Sequence, residues 1–269
     1  MTGSAGQVHR VRYGPDPSQF CDLYLPDDDG AAPAVCVVVH GGFWRTSYDL
    51  GLGAPLAEDL AQHGIAALNV EYRRVGPTGS PGAGGGWPAT CQDVAAAVDS
   101  LRSLPATVGA ALDLNRVVGL GHSAGGHLVG WLAARTQGRV RLTGFVSQAG
   151  VLDLEWASAE LVGRGAVHAF LGGKPSRMPA EYALASPIRL VPTGVPSVLV
   201  HGDADVEVPV EISRRYHRQA RAGGDACELI ELPGSDHFGV IDVASPDWQV
   251  CRAAVLDLLG LPEPGAVVR

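Results

Sequence analysis

Ser123 stands in the run Gly121-His122-Ser123-Ala124-Gly125, after the apolar stretch Arg116-Val117-Val118-Gly119-Leu120 and before the apolar pattern His127-Leu128-Val129-Gly130-Trp131-Leu132. A serine attacks a carbonyl carbon only when its Oγ is lifted clear of the backbone and a base can take its proton. A tight strand-to-helix turn does the lifting, and glycines two residues before and after the serine remove the Cβ atoms that would collide there. The amino terminus of the following helix also favours negative charge developing near the serine. With 36 glycines in 269 residues, the five-residue pattern alone could be a helix-packing turn. Its place between an apolar strand and an apolar helix points to a nucleophile.

An attacking serine makes a tetrahedral oxyanion, which needs backbone N–H groups already aimed at it. Val39-His40-Gly41-Gly42-Phe43-Trp44 follows the apolar run Ala34–Val39 and contains the paired glycines that let a backbone turn its amides inward. The expected donors are the N–H groups of Gly42, Phe43 and Ala124. His40 precedes the glycines on the strand and reads as a hydrogen-bonding brace for this loop. The bland alternative is an ordinary β-turn at a strand end.

The base must be a residue that gains and loses a proton near neutral pH, and histidine does so. His237, in Pro233-Gly234-Ser235-Asp236-His237-Phe238, follows an apolar strand and can reach the same edge as Ser123. His9 and His63 fall away from strand ends, His217 is on a helix, His168 is in a presumed cap, and His122 and His127 are tied to the serine turn. A carboxylate is needed to orient the base and stabilise its imidazolium form. Asp203 and Asp205, in His201-Gly202-Asp203-Ala204-Asp205-Val206-Glu207-Val208-Pro209, both qualify by residue type. Either could instead form an Asx turn or cap the helix after Pro209.

Elements must bring these segments together. Apolar content and flanking turn residues predict strands at about 8–14, 19–26, 33–40, 65–72, 115–120, 143–148, 197–202 and 227–232. Helical patterns fit about 54–63, 88–104, 124–136, 209–222 and 247–260. The runs at 34–39 and 197–200 are almost wholly apolar, as expected of strands covered on both faces. The first two strands leave no room for a helix between them and should form an antiparallel edge. The later strands alternate with helices, which predicts a mostly parallel eight-stranded α/β sheet flanked by helices. Each candidate segment then ends a strand at one edge. Residues 151–196 are expected to form a small helical cap between the sixth and seventh strands. The low-complexity run Gly76–Gly86 is expected to be a mobile surface loop.

The chain length of 269 residues fits one domain spanning 1–269. With 46% hydrophobic and 18% charged residues, the composition is that of a soluble globular protein. The net charge of −8 and the lack of a basic stripe exclude nucleic acid as the expected partner. The five cysteines form no C-x-x-C pair, and Cys36 and Cys227 lie in apolar runs, so neither a disulfide framework nor a zinc site is expected. The first 15 residues lack an apolar leader core, and the apolar stretches are far below the ~18 residues of a membrane span. A cytoplasmic location is therefore expected. The pattern does not select between a monomer and a homo-oligomer.

At these motifs the chain resembles the α/β-hydrolases, over nearly its whole length. Within them it resembles the branch of kynurenine formamidases, small acyl esterases and the catalytic domains of prolyl-oligopeptidase-type peptidases. His40-Gly41-Gly42-Phe43-Trp44 and Gly121-His122-Ser123-Ala124-Gly125-Gly126-His127-Leu128 look like the formamidase and esterase form. His201-Gly202-x-x-Asp205-x-x-Val208-Pro209 is similar to the oligopeptidase and dienelactone-hydrolase-like form, which implies that Asp205, rather than Asp203, is the acid. The order Ser123, Asp205, His237 matches this fold's order. Phe43 stands where lipase-like relatives often carry a third glycine. The chain has no room for the propeller of the oligopeptidases, which disfavours an endopeptidase.

These readings together imply a serine hydrolase of small acyl esters or N-formyl aryl amides, working through an acyl-enzyme without metal or cofactor. Trp44, Trp87, Trp156 and Phe238 are candidate walls for an aromatic or apolar substrate, with ordinary packing as the alternative for each. The alternative functions are a small exopeptidase and an inactive binding protein on the same fold.

Overall fold

The computed structural model describes residues 7–27 and 30–262. The ends of the 1–269 span, and part of the amino-terminal stretch read as lacking a leader core, lie outside the described residues. The strands are β1 (Val8–Arg12), β2 (Phe20–Tyr24), β3 (Ala34–Val39), β4 (Ala66–Val70), β5 (Asp113–His122), β6 (Gly144–Gln148), β7 (Ser197–Gly202) and β8 (Cys227–Leu232). They form one sheet in the order β1-β2-β4-β3-β5-β6-β7-β8. β1 and β2 pair antiparallel, as do β2 and β4; from β4 through β8 every pairing is parallel. This is the α/β-hydrolase fold. Every residue of β3, β4, β6 and β7 is buried, as expected of strands with helices on both faces, and the polar Asn69, Ser147, Gln148, Ser197 and His201 are buried with the rest.

The helices are α1 (Ala54–Gln62), α2 (Ala89–Ser100), α3 (Leu104–Val108), α4 (Ala124–Ala133), α5 (Leu154–Ala159), α6 (Ala166–Leu171), α7 (Pro179–Ala185), α8 (Glu211–Ala222) and α9 (Pro246–Leu258). The single helix expected over 88–104 ends at Ser100, and α3 restarts at Leu104. Pro105 lies at the start of α3, where its missing N–H costs nothing. Two hydrophobic layers result. One packs α2, α4 and α8 with the cap against one sheet face; the other packs α1 and α9 against the opposite face. The segment after β6 forms short helices, α5 to α7, as expected of a small cap.

The glycine-rich run is not a free loop. Arg74 N donates to Gly82 O at 2.6 Å and Gly85 N to Arg74 O at 2.9 Å. A Cβ on Gly85 would come within 2.1 Å of Arg73 O, so glycine there allows the loop to lie against the chain that anchors it. No helix among the described residues is long and apolar enough to cross a membrane.

Candidate active site

Parallel pairing puts the carboxyl ends of β3, β5, β7 and β8 on one edge, so the four candidate segments share that edge. Ser123 joins β5 to α4 with φ 54° and ψ −116°, a conformation that side-chain-bearing residues rarely adopt. Its backbone is fixed by neighbours: Ser123 N donates to Gln148 O at 2.8 Å, and Val151 N donates to Ser123 O at 3.2 Å. A Cβ on Gly121 would lie 2.2 Å from Gly125 O, and one on Gly125 would lie 2.0 Å from Val39 O. Both glycines are thus demanded by backbone approach. Strain of this kind costs about 1–3 kcal/mol and persists only where the surroundings over-determine it.

The β3 loop passes directly over this turn. A Cβ on Gly41 would meet His122 Nδ1 at 2.8 Å and the Ser123 Cβ at 3.0 Å. Gly42, Phe43 and Trp44 then follow with φ of 101°, 52° and 56°. Among the hydrogen bonds between described residues, none uses the N–H of Gly42, Phe43 or Ala124 as donor, so these three expected oxyanion donors remain available. The loop is braced by a buried charged cluster. His40 Nε2 lies 3.3 Å from Glu71 Oε1, and Arg74 Nη2 lies 3.4 Å from the same oxygen. Glu71 also accepts from Leu50 N at 3.1 Å and Tyr72 N at 2.9 Å. The Tyr72 ring stacks on His40 at 4.3 Å, and its hydroxyl donates to His40 O at 2.8 Å.

Asp205 and His237 meet. His237 Nδ1 donates to Asp205 Oδ2 at 2.6 Å, with both residues buried. Asp205 Oδ1 accepts from Glu207 N at 2.9 Å and Val208 N at 2.8 Å. His201 Nε2 lies 3.3 Å from Asp205 Oδ2 and 2.8 Å from Val208 O. Since both atoms facing it are acceptors, Nε2 carries the proton, and Nδ1 accepts from the Ser213 hydroxyl at 2.7 Å. Burial opposes ionisation of Asp205, but the hydrogen bonds from His201 and His237, the charge of His237 and the Val208 amide outweigh it. They hold the carboxyl well below the ordinary carboxylate range. Asp203 points elsewhere, accepting from Gly234 N at 2.6 Å to join the two loops.

His122 connects the serine turn to the base. Its Nε2–H donates to His237 O at 2.9 Å, and the two rings are 4.6 Å apart. Burial, helped by His237, pushes its pKa down to about 3, so it is neutral at ordinary pH.

The four aromatic candidates separate. Phe238 is 55% exposed and sets its ring edge-to-face with His237 at 5.3 Å. Trp44 is a correction: it has no solvent access, stacks on Phe170 at 4.5 Å and meets His127 edge-on at 5.2 Å, so it is core and not a pocket wall. Its left-handed backbone turns the ring inward. Trp87 is half-buried with its edge against Trp131 at 6.0 Å, and Trp156 is half-buried in α5, where its N–H caps onto Asp153. Neither is brought to Ser123 or His237 by any ring contact or hydrogen bond among the described residues.

Glu71, His201 and Arg45 also stand around this site, and residue type and spacing alone give none of them a role. Glu71 had a signal: it is the first charged residue after the apolar run Ala66–Val70 and sits at the same edge. Among the described residues no group of three or more His, Cys, Asp or Glu side chains could hold a metal ion.

The BD-FAE family model matches residues 21–219. Esterase LipC of Mycobacterium tuberculosis is 31% identical over 257 residues, covering 88% of this chain and 62% of LipC. The chain thus spans about three-fifths of that relative's length. Kynurenine formamidase of Danio rerio is 23% identical over 269 residues, covering 93% of this chain and 81% of that protein. A truncated carbohydrate esterase from gut microbiota superposes with a TM-score of 0.77 at 22% identity, over 96% of this chain and 97% of the other, a likeness of fold. The chain belongs to the BD-FAE family, an α/β-hydrolase family.

Proposed function

We propose that this protein is a serine hydrolase of small acyl esters. Ser123 is the nucleophile, His237 the general base and then acid, and Asp205 the group that orients His237. The observation that carries the reading is the buried 2.6 Å contact of His237 with Asp205, on the sheet edge where Ser123 is held in its strained turn.

His237 Nε2 takes the Ser123 proton as Oγ attacks the acyl carbonyl. The carbonyl oxygen becomes an oxyanion in reach of the Gly42, Phe43 and Ala124 amides. His237 returns the proton to the leaving oxygen or nitrogen, and water repeats the sequence on the acyl-enzyme. Ionised Asp205 stabilises the imidazolium formed at each step. No metal or cofactor has a role in this sequence of steps.

The leaving group departs on the His237 side, where Phe238 is exposed, so an apolar or aromatic leaving group is favoured. The name of the LipC relative supports ester substrates. The formamidase relative supports a second reading, N-formyl aryl amides, on the same machinery. A small-molecule substrate and a cytoplasmic location belong to the same proposal; five free cysteines support a reducing compartment.

Ser123→Ala is expected to lower kcat by roughly 10⁴–10⁶-fold and abolish labelling by a fluorophosphonate probe. A rate within about tenfold of wild type refutes the assignment. Comparing kcat/KM for aryl acetates and N-formylkynurenine separates ester from formamide preference.

A further inference from the structure

The loop expected to bind the oxyanion is held from the cap side by a residue with no other evident task. Arg45 Nη2 donates to Gly163 O at 2.6 Å, and its guanidinium lies over the Phe43 ring at 5.5 Å. Among the described residues no carboxylate lies within ion-pair distance of Arg45, so its interactions go to a cap carbonyl and a ring face. Gly163 presses on the same ring: a Cβ there would come within 2.4 Å of the Phe43 Cδ1. One residue on, Trp44 stacks on the cap's Phe170, whose carbonyl accepts from Trp87 N at 2.8 Å.

Both partners in this contact contain non-glycine residues with positive φ. Phe43 and Trp44 are consecutive left-handed residues with side chains. Across from them Leu161, Gly163, Arg164 and Gly165 have φ of 54°, 60°, 54° and 82°. One local hydrogen bond closes each run, Arg45 N to Gly42 O at 2.9 Å and Arg164 N to Leu161 O at 2.8 Å, while left-handed backbone is disfavoured at Phe43, Trp44, Leu161 and Arg164, which carry a Cβ. The sheet side contributes Arg45 N to Gly42 O at 2.9 Å and Val75 N to Trp44 O at 2.7 Å. The cap side contributes the Arg45 clasp and the packing of Gly163 on Phe43.

We infer that Arg45 is a positioning residue that makes cap docking a condition of oxyanion stabilisation. It fixes the Phe43 amide by gripping the cap carbonyl and covering the Phe43 ring. It touches no reacting atom. Release of the cap loop would let Phe43 relax toward ordinary backbone and turn its amide away. The inference rests on Phe43 serving as an oxyanion donor, as proposed above.

The test compares wild type with Arg45→Met, which keeps the stem and removes the guanidinium, using 4-nitrophenyl acetate and a trifluoromethyl ketone that mimics the tetrahedral intermediate. Arg45→Met is expected to lower kcat by about 10- to 100-fold with KM within about threefold, and to weaken the ketone by the same factor as kcat/KM. Arg45→Lys, which can still donate to Gly163 O, is expected to recover part of both losses. Gly163→Ala should reproduce the pattern by displacing Phe43, and it carries the test if Arg45→Met does not fold. Unchanged kcat and ketone affinity in Arg45→Met overturn the inference, whatever happens to Tm. A rise in KM alone also overturns it, since that marks a substrate contact. Failure of wild type itself to turn over the ester or take up a fluorophosphonate overturns the hydrolase reading instead.

Discussion

His201 and His237 converge on one oxygen of Asp205, with Nε2 of the first at 3.3 Å and Nδ1 of the second at 2.6 Å from Oδ2. The carboxylate is therefore held from two sides, by the imidazole proposed to work and by one whose tautomer Val208 O and Asp205 itself set. A negative charge so enclosed links stability to pH. The folded-state pKa of Asp205 is lowered, so its contribution is fully present above the ordinary carboxylate value of about 4 and is lost as pH falls below it toward the folded-state value. Urea unfolding of wild type and Asp205→Asn should show a stability gap that narrows as pH falls below about 4. A gap that does not change with pH contradicts this linkage.

Gly125→Ala is expected to be more damaging than a glycine substitution with open space. At Gly125 the new Cβ meets two backbone carbonyls, Val39 O at 2.0 Å and His40 O at 2.7 Å, and neither can yield. The overpacking cost is about 1–3 kcal/mol or more. At Gly64 nothing lies within 4 Å, and only the positive φ of 80° opposes alanine, at about 1–2 kcal/mol. Thermal unfolding of the two variants checks the order. Equal losses would mean that the serine turn is not as tightly built as its contacts indicate.

Glu71→Gln conserves shape and removes a charge that His40 and Arg74 both face. Leaving a buried cation without its partner typically costs about 3–5 kcal/mol. Denaturant unfolding should show a loss of this size, and kcat should fall with it because His40 leads directly into the oxyanion loop. A variant as stable as wild type would show that the cluster is dispensable.

Phe238→Ala should separate leaving groups. Loss of an aromatic contact worth about 0.5–1.5 kcal/mol lowers kcat/KM for 1-naphthyl acetate by about two- to tenfold. Methyl acetate, whose leaving group cannot reach the ring, should be hydrolysed at the wild-type rate. The same loss on both esters would place the effect on His237 instead of on the leaving group.

All five cysteines are buried free thiols. Burial pushes the Cys21 and Cys251 thiols up to about 12 and raises those of Cys36 and Cys91 well above the ordinary thiol value. The attacking thiolate is therefore scarce in the native state. Titration with a disulfide reagent should find no fast-reacting thiol before denaturation and five after it. A rapid native equivalent would identify a locally open segment.

Residues with local signals were legible. β3 and the first part of β7 are nearly apolar runs between turn residues, and burial on both faces is the physical meaning of such runs. The turn around Ser123 was legible because Gly121 answers a steric demand made within five residues, although the carbonyl that demands Gly125 comes from β3. Asp205 and Asp203 were not separable by type, since both end the same strand; the loop's path, which takes Asp203 to Gly234 N and Asp205 to His237, decides between them. Arg45 was silent for another reason: its partner, Gly163, is 118 positions away. Trp44 misled because an aromatic beside a catalytic loop suggests a wall, while one positive φ turns the ring into the core.

The backbone at Ser123 also bears on how such a chain would age without use. Its φ of 54° and ψ of −116° suit glycine better than any residue with a side chain. Serine is tolerated there at the expense of stability, and under the proposed mechanism turnover is what offsets that cost. In a lineage released from hydrolysis, replacement by glycine would be the downhill step, giving a sturdier and silent protein.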